Sequence, residues 1–310
     1  MPYRGPVNAS LRKAGKIGPV RTPAGIREGL PRSRGGEVWK EGRIVDALSK
    51  LPDAMNELLD GFMTHAVVGD TTVGLTQYIF WMFVAIALLL VVMFVFKKKQ
   101  AQSLVPQGFF VNGMEYLVEF TRDDMCKSIL GDTWKKHFPF IAALFFFILF
   151  NNIVGIIPGC HPGTGTIGVT AALALVSFIY FIAVGIKRMG VLGYLKSFAP
   201  KGLPLPMAIM VWVIELFSTF LRLITLAVRL FCNMFAGHVV MGTFAILASL
   251  FFEPLLQSFS AAALGGAAVS VFWILILIVI YLVEILVAVI QAYVFTLLSA
   301  VYIQLVEEEE

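Results

Sequence analysis

From Gly202 to Phe252 the only acidic, basic or histidine residues are Glu215, Arg222, Arg229 and His238, and from Pro254 to Val306 there is only Glu284. A run of 18 or more residues with few or no charges is already enough for a helix that crosses a bilayer, and this chain has two blocks near 50 residues long. Hydrophobic residues make up 58% of the sequence and charged ones 14%, where soluble domains carry about a quarter charged residues. Within hydrocarbon every backbone N–H and C=O must be satisfied inside the protein, which leaves helices or a closed barrel. Uninterrupted apolar runs without period-two alternation select helices. The expected fold is an all-α integral membrane protein with about five transmembrane helices and one interfacial amphipathic helix, the last two helices long and steeply tilted.

The first span is read over 76–96, where 19 uncharged residues from Tyr78 to Phe96 match a hydrocarbon core roughly 30 Å thick. Lys97, Lys98 and Lys99 follow at once, while Glu57, Asp60 and Asp70 lie before it. Basic residues near a span mark the inner side, so the amino terminus is expected outside and the carboxyl terminus in the cytoplasm. Over 109–130, Phe110, Met114, Leu117, Val118 and Met125 recur at helical spacing with Glu115, Glu119, Arg122 and Asp123 between them, the pattern of an amphipathic helix lying along the inner surface. Further spans are expected at 138–157, 166–186, 206–240 and 268–304, with Gly265 and Gly266 as the loosening point ahead of the last. The loop after Pro158 has no Lys or Arg, whereas Lys187, Arg188, Lys196 and Lys201 follow the third span, as the alternation of sides requires.

The formal charge of +4 is a property of tail and loops: 11 of the 24 Lys and Arg lie in residues 1–50, and only Arg222 and Arg229 come after Lys201. No nucleic-acid surface is expected. Residues 1–60 are read as a disordered basic extension, 61–306 as one polytopic domain and 307–310 as an acidic tail. The extension has no apolar centre for a secretory signal, and its Glu28, Glu37 and Glu41 fit poorly with an organelle transit peptide. A start placed too far upstream, with Met55 or Met63 as the later one, is the other reading. Cys126, Cys160 and Cys232 are too few and too scattered for a disulfide framework or a CxxC metal site. No metal or cofactor is expected: His65, His137, His161 and His238 give no same-helix pair for haem.

The ionisable residues inside the apolar blocks carry the functional signal. Glu215, Arg222 and Arg229 are seven apart, so at about 100° per residue they share one helix face. Asn233 extends that stripe by one turn. Seven residues rise about 10 Å, the limit for two extended side chains, and fourteen about 21 Å, so Glu215 cannot neutralise Arg229 directly. An arginine at mid-membrane costs about 2.5–3.5 kcal/mol on insertion scales and does not shed its proton. Near a helix end it snorkels or braces a contact; deep in a long helix it calls for a negative partner on another element. Glu284 and Gln291 repeat the seven-residue spacing on the last helix, and Glu284 is a candidate proton-relay group. His238, nine residues beyond Arg229, points to the opposite side and is the second candidate.

"LRLITLAVRLFCNMFAGHVV" followed by "YLVEILVAVIQAYVFTLLSAVYI" resembles subunit a of the F-type ATP synthase membrane sector, as do "FNNIVGIIPG" and "KGLPLPM". The resemblance runs from about Gly74 to Val306. It implies a stator subunit that forms two aqueous half-channels against the ring of c subunits and couples proton flow to ring rotation and ATP synthesis. By position, Arg229 is then the fixed charge between half-channels, Asn233 its polar neighbour, Gln291 the glutamine facing it, and Glu215 the acid toward the inner channel. His238 and Glu284 form the relay pair, in the exchanged order found in mitochondrial members, with Arg222 a secondary member of the stripe. Partners implied are the c-ring, peripheral-stalk b subunits, the remaining synthase subunits and membrane lipid. ATP chemistry takes place elsewhere in the complex, since no GxxxxGK[ST] loop occurs here. The membrane implied is a bacterial inner membrane. A proton-coupled transporter or a respiratory-pump subunit is the other class, but no internal repeat of the transporter kind occurs.

Overall fold

A computed structural model describes residues 49–61, 66–68, 75–100, 108–198, 204–257 and 261–308. The basic extension over 1–48 and the last two acidic residues lie outside the described residues. Helix α1 (Leu51–Gly61) precedes a short antiparallel pair, β1 (Ala66–Val68) with β2 (Leu75–Thr76), and then α2 (Gln77–Gln100). Next come α3 (Phe109–Glu119), a π-helical stretch Phe120–Lys127 and two short turns that lead into α4 (Trp134–Ile156). The long helices α5 (Ile167–Ser197), α6 (Leu205–Gln257) and α7 (Ala261–Glu308) complete the chain. Among the described residues five helical segments are long and apolar enough to cross a membrane, and the chain is a helical membrane protein of the kind the hydropathy pattern implies, with one short strand pair ahead of its first span.

Several boundaries differ from those read off the sequence, for local reasons. Residues 51–61, grouped with the tail by composition, form a helix whose apolar face packs on α6: Leu58 lies against Gly242, and the Thr243 hydroxyl contacts Met55 Sδ at 3.5 Å. The third span does not stop at 186. It continues to Gly190, whose φ of 73° is open to glycine at little cost, and bends there before its last turns. Helices α6 and α7 are longer than expected, 53 and 48 residues, and Gly265 and Gly266 sit inside α7. At 1.5 Å per residue they measure roughly 80 and 72 Å, more than twice the hydrocarbon thickness, so neither stands upright in a bilayer.

The core is built where α4 and α7 meet. Phe145, Ile148 and Leu149 of α4 pack with Ala292 and Phe295 of α7 and with Leu226, Ala227 and Leu230 of α6. A second cluster joins Ile141, Phe181, Tyr194, Ala300 and Ile303 with Cys126 and Leu130 of the segment before α4. The buried face of α7 is mostly small: Ala288, Ala292, Thr296, Ser299 and Ala300. Small residues let backbones approach where lipid offers no hydrophobic drive to associate. Polar ties then fix the register, with Ser177 Oγ donating to Ser299 Oγ at 2.7 Å and Ser270 Oγ to the Ala248 carbonyl at 2.7 Å. At the carboxyl-terminal end of α7, Glu307 meets Lys136 at 2.9 Å and the buried His137 at 3.2 Å, and His137 Nδ1 faces the Tyr180 hydroxyl at 3.0 Å. Arg188 donates to the Val306 carbonyl at 3.3 Å. These contacts close α4, α5 and α7 into one end of the bundle.

Gly185 sits at that closure: a Cβ there would lie 2.6 Å from the Tyr194 ring and 2.7 Å from Val306. Gly185→Val should overpack the contact by about 1–3 kcal/mol, seen as a lower unfolding temperature in detergent and a reduced yield of folded protein. An unchanged unfolding temperature would show that the approach is looser than the packing implies.

Candidate functional site

Helices α6 and α7 run antiparallel, and three contacts set their register: Ser270 on Ala248, the Glu284 carboxyl on Gly237, and the Arg222 guanidinium 5.2 Å from the Tyr302 ring centre. Seven residues on from Glu284 and seven back from Gly237, Gln291 and Leu230 stand level, one residue from Arg229. The arginine and the glutamine, far apart in sequence, thus occupy the same height on neighbouring helices.

The stripe on α6 divides in two. Arg222 Nη2 reaches Glu215 Oε1 at 3.1 Å, with both side chains partly exposed; the seven-residue gap is bridged because both side chains extend along the helix. Arg229 has no such partner. Its side chain is exposed on the bundle surface and makes no hydrogen bond or ion pair among the described residues. The buried Asn233 Nδ2, one turn on, and the buried Gln291 Nε2 also lack a hydrogen-bond partner among the described residues. Buried amide hydrogens are nearly always paired. The guanidinium offers only donors, and each of the two amides has a buried N–H group left unfilled, so this part of the bundle carries unpaired donors. A carboxylate is the group that would satisfy it, by charge and by geometry.

Glu284 and His238 lie one to two turns away. Glu284 is only 7% exposed, and its carboxyl rests directly on the backbone of Gly237, where any side chain would occupy the same space. Its Oε1 has no hydrogen-bond partner among the described residues. His238, the next residue on α6, places Nδ1 2.8 Å from the Met234 carbonyl and Nε2 2.8 Å from the Gly155 carbonyl. Carbonyls only accept, and a neutral imidazole donates from one nitrogen alone. The ring is therefore held between two acceptors that compete for its proton, one residue along α6 from the backbone on which Glu284 rests.

With this geometry in view, the comparisons are direct. The family model for the ATP synthase A chain matches residues 79–304. The chain is 35% identical over 291 residues to ATP synthase subunit a of Chlorobium phaeobacteroides, covering 93% of this chain and 80% of the relative. It is 37% identical over 265 residues to that of Chloroherpeton thalassium, with 81% and 75% covered. The Zymomonas mobilis subunit is 37% identical over 246 residues, with 76% and 89% covered.

The chain belongs to the ATP synthase subunit a family.

Membership makes it a membrane subunit of an F-type ATP synthase, working in a complex with other subunits. Of the residues singled out in the sequence, Arg229 and Gln291 stand at one height with Asn233 a turn farther along α6, Glu284 and His238 lie one to two turns away, and Glu215 pairs with Arg222 along α6 in the other direction. No role was expected for the residues that hold Glu284 and His238 in place. Asn152 donates from Nδ2 to the Ala288 carbonyl, one turn from Glu284, at 3.3 Å, and accepts from Thr164 Oγ1 at 2.8 Å. Gly155 carries the carbonyl that His238 meets and lies so close to Pro162 that a Cβ would overlap its ring. The only signal for either was the "FNNIVGIIPG" stretch itself. The three cysteines are separate free thiols, Cys126 buried, Cys160 half-buried and Cys232 exposed.

Gly237→Ala probes the relay pair without touching a titratable group. The added methyl displaces the mobile end of Glu284, not backbone, so the fold should persist while the carboxyl moves away from His238. A shift of about 1 Å in a reacting group costs on the order of a hundredfold; a loss of ATP-driven proton pumping of about tenfold or more, at normal assembly, is expected in membrane vesicles. Full pumping would show that the position of Glu284 does not matter.

Proposed function

We propose that this subunit is the stationary half of a rotary proton motor, forming two aqueous half-channels against a ring of c subunits and coupling proton flow to ring rotation and ATP synthesis. The reading is supported by the Arg229 guanidinium on the bundle surface, which has no acid partner among the described residues, and by the unfilled amide N–H groups of Asn233 and Gln291 near its height. An ionised carboxylate on a passing ring subunit supplies the missing acceptor. Arg229 attracts it and, being a fixed cation, repels a proton that would otherwise cross directly between the half-channels.

Each ring carboxyl must then lose its proton to pass the arginine and regain one before it returns to lipid. Protons reach the ring past His238 and Glu284 from the outer side and leave toward the inner side near Glu215. A carboxylate at Glu215 paired with Arg222 on the surface of α6 gives the inner path a polar lining while leaving Arg229 free. One proton falling through 100 mV releases about 2.3 kcal/mol, so several must pass for each ATP. In this reading the membrane is a bacterial inner membrane with the amino terminus outside and the carboxyl terminus in the cytoplasm, and peripheral-stalk b subunits hold the chain against the torque of the ring.

Arg229→Ala in the assembled complex tests this. ATP-driven proton pumping in vesicles should fall to background while ATP hydrolysis by the soluble sector persists. Arg229→Lys should also lose most pumping, because a lysine lacks the planar fork that grips a carboxylate bidentately. Pumping retained in Arg229→Ala would remove the arginine from the mechanism.

A further inference from the structure

Helix α1 lies outside the residues the family model matches, 79–304, yet it is packed on α6 just beyond the relay pair. Leu58 meets Gly242 and Met55 meets Thr243, one turn from His238. Between α1, the α4–α5 connection and α6 is a cavity of about 380 Å³, lined by Ala54, Glu57, Leu58, Gly61, His161 and Ile246. It contains two groups that can carry a proton, the Glu57 carboxylate and the His161 imidazole. Asp53 and Asp60 lie on the same short helix, and the lining residue from α6, Ile246, is apolar.

The α4–α5 connection holds His161 in place. Tyr78 of α2 meets the ring edge-on with centroids 5.4 Å apart, and the neighbouring Gly163 and Gly165 lie too close to Met82 and Tyr78 to accept side chains without displacement. Gly155, in the last turn of α4 just before that connection, offers the carbonyl that His238 Nε2 meets. Burial, and after it the charge on His238, hold the His161 ring below the ordinary histidine range.

We propose that this cavity is the proton-collecting mouth of the half-channel that serves His238 and Glu284, with Glu57 and His161 as its relay groups. The proposal rests on the half-channel reading above. A hydronium ion gives its proton to the Glu57 carboxylate and leaves as water; the carboxyl passes the proton to the free ring nitrogen of His161, and from there it moves to His238, restoring each donor to its starting state. The acidic helix raises the local proton concentration at the mouth: one carboxylate about 4 Å away does so by roughly fivefold in water. This matters most when bulk protons are scarce.

The test uses the complete synthase reconstituted in liposomes, with ATP synthesis followed at fixed membrane potential while pH is varied on the side of α1. In Glu57→Gln and His161→Gln the rate should fall by roughly fivefold at pH 8 and stay close to the unmodified complex at pH 6, and Glu57→Asp should restore the pH 8 rate. Unchanged rates at both pH values overturn the proposal. So does an equal loss at both pH values that Glu57→Asp fails to correct, since that marks α1 as a packing element only. Arg229→Ala in the same preparation separates the two readings. If it abolishes synthesis while the Glu57 and His161 variants behave as the unmodified complex, only the collecting mouth is wrong; if synthesis survives it, the half-channel reading fails first.

Discussion

A guanidinium that cannot lose its proton, carried on an apolar helix with no acid within reach among the described residues, is the constraint around which this protein is arranged. Placing it there costs about 2.5–3.5 kcal/mol on insertion scales. The nearest acid along the stripe, Glu215, is bonded to Arg222, which leaves Arg229 without an internal counter-ion and keeps the two cations of the stripe in different electrostatic states. The amides of Asn233 and Gln291 add unfilled N–H donors. In the proposed mechanism the acceptor comes from outside the chain.

The rest of the fold serves to hold that level steady. Two very long helices cannot lie flat on each other for such a length with large side chains at every contact, and α7 solves this with a row of alanines, serines and threonines facing α4, α5 and α6. The same close approach explains Gly237: with no Cβ, it lets the Glu284 carboxyl lie on the backbone of α6 beside His238. Backbone carbonyls from Met234 and Gly155 then aim the imidazole, and Asn152 ties the α4–α5 connection to α7 one turn from Glu284. Glu284 and His238 are thus positioned by three helices and a loop, although the two residues themselves come from only two of those helices.

Much of this was legible in the sequence because membrane insertion is governed by local composition. The five spans, the amphipathic segment before α4 and the seven-residue stripe follow from hydropathy and from 100° of rotation per residue. The level pairing of Arg229 with Gln291 was visible only through resemblance, since register between α6 and α7 depends on contacts such as Ser270 with Ala248 that no local pattern encodes. The boundaries failed where composition is uniform: nothing in the apolar run after Val240 marks a stop, and Gly190 bends a helix whose neighbours read as helix on both sides. Helix α1 was hidden for the opposite reason. Its polar average groups it with the tail, while its few apolar residues are spaced to cover α6. The Lys136, His137, Tyr180 and Glu307 contacts likewise join residues from three helices.

In the proposed mechanism the magnitudes explain why the charge must be both fixed and unpaired. The energy released by one proton crossing 100 mV, about 2.3 kcal/mol, is close to the cost of holding an arginine at mid-membrane. Were Arg229 bonded to an acid of its own chain, a passing ring carboxylate would have to break that pair, and breaking a buried ion pair costs about 3–5 kcal/mol, more than a single proton supplies at that voltage. Were the cation absent, the carboxylate would cross the bundle face with nothing to stabilise its ionised form, and it would keep its proton. A lone arginine flanked by amide donors avoids both barriers, because each arriving carboxylate relieves the same deficit that its predecessor leaves behind.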